Sequence, residues 1–441
     1  MFSKNNLYHI LILALGFFAC SSIYMTQNTI LSDYTGVEFA NLITASFGNL
    51  AMALGILTFV LLYKKIKNIK RFYIVAMILS IVFLIVFCFI ENVIAMCILI
   101  VLYLFLCASG FCGGYHFSLI AYNIESGYRG RVFAIGYAIG SLSSFVMSIL
   151  PKSINASYIC LFIYVPVIIV NIILVYKGNN MPVIEKVEST LDFKKIFCLL
   201  SILVVVMAFL SLMSADVIPT YSYDVQSFFG ESRIFYAIGL IIAGVICDKK
   251  KEIFNIVTIA SFVFFFLGLF LFEQQILTSI IIGLTFGLYG FFTIFRTTAF
   301  MDLSKDNKNY IVYAAFGLLL TRVVEGIAVY FKNSFIDNFF YLVIAEAIAL
   351  CILLITYFVF YNINHKTPKT TVDKVKEVAL QYDLSSQEEK VLSLLIQDMS
   401  NQEIADELYL SVNTIKNHNT RIYKKTGMNK KELREKCLMD N

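Results

Sequence analysis

Runs of about 20 apolar residues, each long enough to cross roughly 30 Å of hydrocarbon as a helix, recur through this chain from Leu7 to Tyr361. No other feature restricts the fold as much. In lipid every backbone amide must find its partner inside the spanning segment, and a helix provides one at each residue. Twelve runs are readable, near 7–30, 37–63, 72–90, 93–122, 131–150, 156–176, 196–219, 233–247, 253–272, 275–300, 310–331 and 337–361. The eighth is short and the fourth is long enough to tilt or to protrude. Apolar residues make up 59% of the 441, against about half in soluble proteins. The prediction is an all-α, polytopic membrane domain over residues 1–361, embedded in a lipid bilayer.

Lysine and arginine resist translocation and collect on the cytoplasmic side. The loops after the even-numbered spans carry sixteen of them, including Lys64, Lys65, Arg129, Arg131, Lys194 and Lys249, whereas the opposite loops hold only Lys152, Arg233 and Lys332. Both termini are therefore expected in the cytoplasm. The first run follows a single Lys4 and continues past any small-residue cleavage site, so it reads as a retained helix rather than a signal peptide. Nine of the ten cysteines lie in or beside the spans without a C-x-x-C pair, which points to buried free thiols, not a disulfide framework or a zinc site.

The longest internal cytoplasmic loop, 177–195, divides the spans six and six, into halves 1–176 and 196–361. Two six-helix bundles with a binding site near the midplane are the layout of a transporter. Gly239, Gly244, Asp248, Lys249 and Lys250 fall at the spacing G-x4-G-x3-D-K-K. The glycines allow close helix approach, and an Asp among cations can pair across a gate. This segment resembles the cytoplasmic-loop motif of the major facilitator superfamily, and Arg129, Arg131, Gly136 and Gly140 look like the start of that superfamily's fifth helix. The loop after the second span keeps only a basic run.

Beyond a polar linker, 362–371, residues 372–441 change character. Ser385-x-x-Glu388 and Ser400-x-x-Glu403 are capping boxes, and Met399 with Ile404, and Leu410 with Ile415, sit as hydrophobic staples. After a short amphipathic lead-in, helices are predicted at 386–397, 401–408, 412–425 and 430–438, packed around Val391, Leu392, Leu395, Ile404, Ala405, Leu408, Val412, Ile415 and Ile422. The second and third, joined by a tight turn, make a helix-turn-helix. Between Leu408 and Lys431 stand six basic residues and no acidic one. Asn413, Lys416, Asn417 and Thr420 share one helix face, and Lys and Asn can read guanine and adenine in a major groove.

Leu384-Ser385-x-x-Glu388, Ser400-Asn401-x-Glu403-Ile404-Ala405, Thr414-Ile415-Lys416-x-His418 and Ile422-Tyr423-x-Lys425-x-Gly427 resemble the LuxR-type helix-turn-helix along its whole length. The resemblance implies a homodimer on double-stranded DNA. Lys416, Asn417 and Thr420 would stand at base-contact positions, with Thr414, His418 and Lys425 on the backbone and the helix from Lys430 at the dimer contact. Arg421 and Lys424 add charge to the same helix. The sequence departs from the family at Gln387, Asp398, Asn419 and Thr426, where Arg, Gly and two apolar residues are usual. Twelve spans with such a tail resemble a group of bacterial membrane-bound regulators.

Ionisable groups inside spans are costly and mark candidate function. His116, Asp216, Arg296, Arg322, Glu325 and Glu346 are the candidates for an unknown small-molecule ligand. Arg322 and Glu325, three apart, can pair on one helix face, and Tyr115, Tyr137, Tyr289 and Tyr313 are available to line a cavity. No phosphate loop, metal cluster or nucleophile–base pair is legible, so neither a cofactor nor an enzymatic activity is expected. The leading expectation is a one-component transcriptional regulator in the bacterial cytoplasmic membrane. The alternative is a solute or drug transporter whose tail regulates its own expression.

Overall fold

The computed structural model describes residues 3–63, 65–66, 68–148, 155–178, 191–217, 228–270, 275–303, 308–365, 375, 378–379 and 381–438. The first bundle holds α1 (Lys4–Thr35), α2 (Val37–Tyr63), α3 (Ile69–Phe89), α4 (Val93–Asn123), α5 (Ser126–Ser148) and α6 (Ala156–Lys177). The second holds α7 (Leu191–Val217), α8 (Phe228–Lys249), α9 (Lys251–Gly268), α10 (Gln275–Asp302), α11 (Phe316–Asp337) and α12 (Phe339–His365), with a 3-10 turn, Lys308–Tyr313, leading into α11. The tail holds α13 (Ser386–Leu395), α14 (Asn401–Leu408), α15 (Val412–Thr426) and α16 (Lys430–Leu438). Every expected span and the four tail helices are helical over most of their described residues, the lead-in at 372–380 lies almost wholly outside those residues, and no strand occurs among them.

Eleven helices among the described residues are long and apolar enough to cross a membrane. The eighth expected span, 233–247, is helical as α8 but stands outside that set. Its two most extensive neighbours are α5 and α10, and it carries Glu231, Arg233, Asp248 and Lys249 at its ends. Among the described residues, the exposed large apolar side chains all precede residue 362, Tyr409 excepted, as expected of a lipid-facing surface.

The fourth helix is not tilted intact but broken. It runs Val93–Leu106, leaves helical geometry at Cys107 (φ −59°, ψ 179°) and resumes at Phe111. α2 and α6 carry π-helical turns at Leu42–Phe47 and Cys160–Tyr164. The two bundles meet chiefly along α5–α8 and α2–α11. On the first seam the backbones nearly touch: a Cβ on Gly130 would lie 2.8 Å from Gly244 O, and one on Gly244 2.6 Å from Gly130 O. On the second, Ser46 Oγ donates to Gly326 O at 2.7 Å.

By its contacts the chain divides into two units, Met1–Phe358 and Val359–Asn441. The core of the second comprises Val375, Val378, Val391, Leu392, Leu395, Ile396, Ile404, Ala405, Ile415, Ile422, Leu433 and Cys437. Leu408 and Val412, expected in that core, are half-buried against it.

Candidate nucleic-acid interface and membrane cavity

Each tail helix starts on a side-chain cap. Ser385 Oγ accepts from the Glu388 amide at 3.3 Å while Glu388 Oε2 accepts from the Ser385 amide at 2.7 Å, and Ser400 with Glu403 repeats the pair at the same distances. Ser411 Oγ accepts from the Thr414 amide at 3.1 Å and so fixes the start of α15. A further box, Asn429 with Glu432, opens α16. Sequence reading missed it, although Asn followed three residues later by Glu is the same signal. α15 ends on Gly427 at φ +69°, where a glycine takes the left-handed turn without a Cβ clash.

Three of the four departures from the family pattern have local explanations, and nothing in the structure explains Gln387. Asp398 occupies the left-handed region at φ +69°, a conformation Gly adopts freely and Asp tolerates. Its carboxylate is held by Lys430 at 3.1 Å and Arg434 at 2.5 Å, which tie the turn before α14 to α16 and keep its pKa below the usual carboxylate range. Asn419 and Thr426 are buried, each 7% exposed. Asn419 Nδ2 donates to Asn401 Oδ1 at 2.8 Å, and Thr426 Oγ1 donates to Ile422 O at 2.8 Å. Hydrogen bonds thus replace the apolar packing usual there.

α15 buries Ile415, Asn419, Ile422 and Thr426 and exposes the opposite face. Lys416, Asn417, Thr420, Arg421, Lys424 and Asn413 are all exposed, and Thr414 and His418 are half-buried at the margins. Lys416 and Thr420 also border an open concavity with Ser400, Asn401 and Lys430. Lys425 is engaged inside the domain: its Nζ donates to Asp383 O at 2.7 Å and Glu388 Oε2 at 2.8 Å. Burial works against ionisation of Glu388, but the Lys425 ammonium and the Ser385 amide outweigh it and hold the carboxyl below its ordinary value.

The six intramembrane candidates do not converge on one point. His116 is buried in the first bundle, its Nε2 2.8 Å from Tyr73 Oη, which donates to Asn171 Oδ1 at 2.8 Å; Asn171 Nδ2 in turn donates to Ile12 O at 3.0 Å. That closed network makes it a packing histidine. Arg322 Nη1 donates to Glu325 Oε2 at 2.7 Å and to Asn49 Oδ1 at 2.9 Å, so the pair is anchored across the α2–α11 seam. Glu325 lines a cavity of 240 Å³ with Ala208, Ser211, Leu212, Thr285, Phe286 and Tyr289. Arg296 is 5% exposed with its guanidinium 5.4 Å from the Phe292 ring centroid, and its Nε and Nη1 have no hydrogen-bond partner among the described residues. Glu346 is fully buried in α12. Asp216 stands near the end of α7, its side chain outside the described residues. Asn49, Thr285 and Ser211 escaped sequence reading, since neutral polar residues in a span carry no charge signal.

At the ends of α5 and α8 the facilitator-like motif closes on itself. Asp248 accepts from the backbone amides of Gly130 at 2.8 Å and Arg131 at 3.0 Å, and from Arg131 Nε at 2.8 Å, with its side chain wholly buried. Arg129 donates to Met301 O at 2.8 Å and Asp302 Oδ1 at 3.3 Å, while Lys251 pairs with the other Asp302 oxygen at 2.9 Å. The Arg131–Asp248 and Arg129–Asp302 pairs bind the two bundles together at one end, and Lys251 holds Asp302 within the second bundle.

Residues 382–433 match the model for the bacterial regulatory proteins of the luxR family. A comparison with curated protein sequences found no match. Among solved structures, the E. coli fucose:proton symporter FucP is similar at TM-score 0.61 and 9% identity, over 81% of this chain and 98% of that one. A second structure of FucP, in its outward conformation, gives 0.60 at 10% identity over 81% and 99%. The nucleoside transporter NupG gives 0.52 at 14% identity, over 82% and 100%. At such identities the likeness concerns the fold alone. The chain thus joins a membrane domain of the major facilitator fold to a C-terminal LuxR-type helix-turn-helix domain.

Proposed function

We propose that this protein is a membrane-bound, one-component transcriptional regulator of the bacterial cytoplasmic membrane, with both termini in the cytoplasm. A membrane domain, residues 1–361, senses a small molecule, and a DNA-binding domain, residues 372–441, reads an operator as a homodimer. The observation that carries this reading is the outer face of α15, where Lys416, Asn417, Thr420 and Arg421 are exposed while the face beneath is packed. Phosphate neutralisation and base reading both need side chains free to leave water for DNA. Lys425, already paired with Glu388, supports the helix that presents them.

The sensing site in this proposal is the cavity beside Glu325 and Tyr289, with Arg296 Nε and Nη1, partnerless among the described residues, in the same bundle. A ligand acts only through different affinities for two arrangements of the bundles, and the Arg131–Asp248 and Arg129–Asp302 pairs are the ones that such a change would break. α12 runs on to His365, so of the linker expected at 362–371 only 366–371 lies beyond it; six residues span roughly 12–15 Å in root-mean-square terms, so the operator comes close to the membrane. Sequencing the DNA that copurifies with the full chain tests the reading. Discrete fragments, lost with Lys416→Ala, are expected; fragments unchanged by that substitution overturn the base-contact assignment. Gradient-driven flux in proteoliposomes that survives deletion of residues 368–441 would favour a transporter with an autoregulatory tail.

A further inference from the structure

Two thiols far apart in sequence meet in the first bundle. Cys20 Sγ, on α1, lies 3.4 Å from Cys107 Sγ, at the break in α4. Both residues are buried, 5% and 2% exposed. Cys20 Sγ also donates to Ser109 Oγ at 3.3 Å, and Cys107 Sγ to Leu104 O at 3.2 Å. A void of 10 Å³ lies against the pair, bordered by Cys20, Cys107, Ala19, Ala108 and Tyr103. That is about the room one water-sized molecule requires.

The backbone is suited to the sulfurs closing on one another. Cys107 has already left helical geometry, with ψ 179°, so moving it disrupts no regular turn on its C-terminal side. A disulfide needs sulfurs about 2.05 Å apart, and the joint of α4 is where the backbone can supply the difference. Cys198 and Cys351 offer an internal contrast, both exposed on the outer surface of the bundle.

We infer that Cys20 and Cys107 form an oxidisable dithiol, a modification site at which hydrogen peroxide converts the pair into a disulfide. One cysteine attacks the peroxide O–O bond; an S–O bond forms, the O–O bond breaks, and the departing hydroxide takes up the thiol proton as water. The second thiol attacks the resulting sulfenic sulfur; the S–S bond forms, the S–O bond breaks, and a second water leaves with the remaining proton. Two thiols lose two electrons and one hydrogen peroxide gains them. The product staples α1 to the joint of α4 and holds that joint in one geometry.

The test uses the full chain in native membrane vesicles, treated with graded hydrogen peroxide, denatured, alkylated with N-ethylmaleimide and mapped by mass spectrometry. Expected is a linked Cys20–Cys107 peptide pair, released by dithiothreitol, accounting for most of both cysteines at a dose that leaves Cys198 and Cys351 alkylatable. In Cys107→Ser the second step has no resolving thiol, so Cys20, oxidised in the first, should stop as a sulfenic acid that dimedone traps. Cys20 and Cys107 remaining fully alkylatable at doses that oxidise Cys198 would overturn the inference. So would Cys20 linking to other cysteines in equal yield.

Discussion

The two units place their charges in opposite ways. In the membrane unit the charged groups at the bundle seams face inward and hold partners: Arg131 with Asp248, Arg129 with Asp302, Arg322 with Glu325. In the tail the basic groups of α15 face outward, and of these Lys425 pairs with an acidic side chain. Inward pairs couple elements of the same chain, because a buried charge without a partner is costly. Outward cations in a locally acid-free stretch await an external polyanion. The contrast teaches where each unit does its work, and Arg296 is informative because it breaks the membrane pattern.

The largest effect expected is on the tail's packing. Ile415, 0% exposed, is predicted to cost about 2–5 kcal/mol when cut to alanine. Hydrogen exchange on the full chain should then show protection lost in α13 to α16 and kept in α1 to α12. Loss spreading into the membrane helices would break the division into two independently packed units. Gly239→Ala is the converse, since a Cβ there would run into Gly287 O on α10. Overpacking of that kind costs about 1–3 kcal/mol, read as a lower Tm for the purified protein in detergent with DNA affinity unchanged.

Lys416→Ala and Lys424→Ala sharpen the outward half of the comparison. Lys416→Ala should cost about 1–3 kcal/mol of discrimination between operator and unrelated DNA, whereas Lys424→Ala, which removes a phosphate-neutralising ammonium, should weaken both equally and reduce the salt slope by about 1. Competition binding across salt concentrations separates the two. The smallest effect comes from Glu388 and Lys425. The Glu388 carboxyl is held below its ordinary value of 4.5 in the folded tail, so it contributes stability above that pH and loses it as pH falls through the folded value. With the Lys425 side chain 39% exposed, solvent screening limits the pair to under about 1 kcal/mol. Glu388→Gln should flatten the acid limb of tail unfolding followed by hydrogen exchange, and an unchanged limb would show that the pair is not formed.

What was legible in the sequence depended on how far apart the partners lie. Capping boxes span three residues, so Ser385 with Glu388 and Ser400 with Glu403 could be read directly, and α15's faces followed from helical spacing. The apolar runs were equally local, which is why the spans and their helices nearly coincide. The partners of the intramembrane groups are distant: Asn49 lies 273 residues from Arg322, and Cys20 lies 87 from Cys107. Nothing local distinguished His116, closed into a network with Tyr73 and Asn171, from Arg296, which has two guanidinium nitrogens without partners among the described residues. The break in α4 had a weak signal in Ala108-Ser109-Gly110, overridden by the apolar residues on either side.

The central claim is that the membrane unit governs what the tail does on DNA. It is tested most directly by mapping chromosomal occupancy in living cells for the full chain, for the full chain carrying Glu325→Gln in the cavity, and for residues 372–441 alone. The account predicts that Glu325→Gln changes the extent of occupancy at the same sites and that the severed tail no longer follows the pattern of the intact protein. Identical occupancy in all three would contradict it.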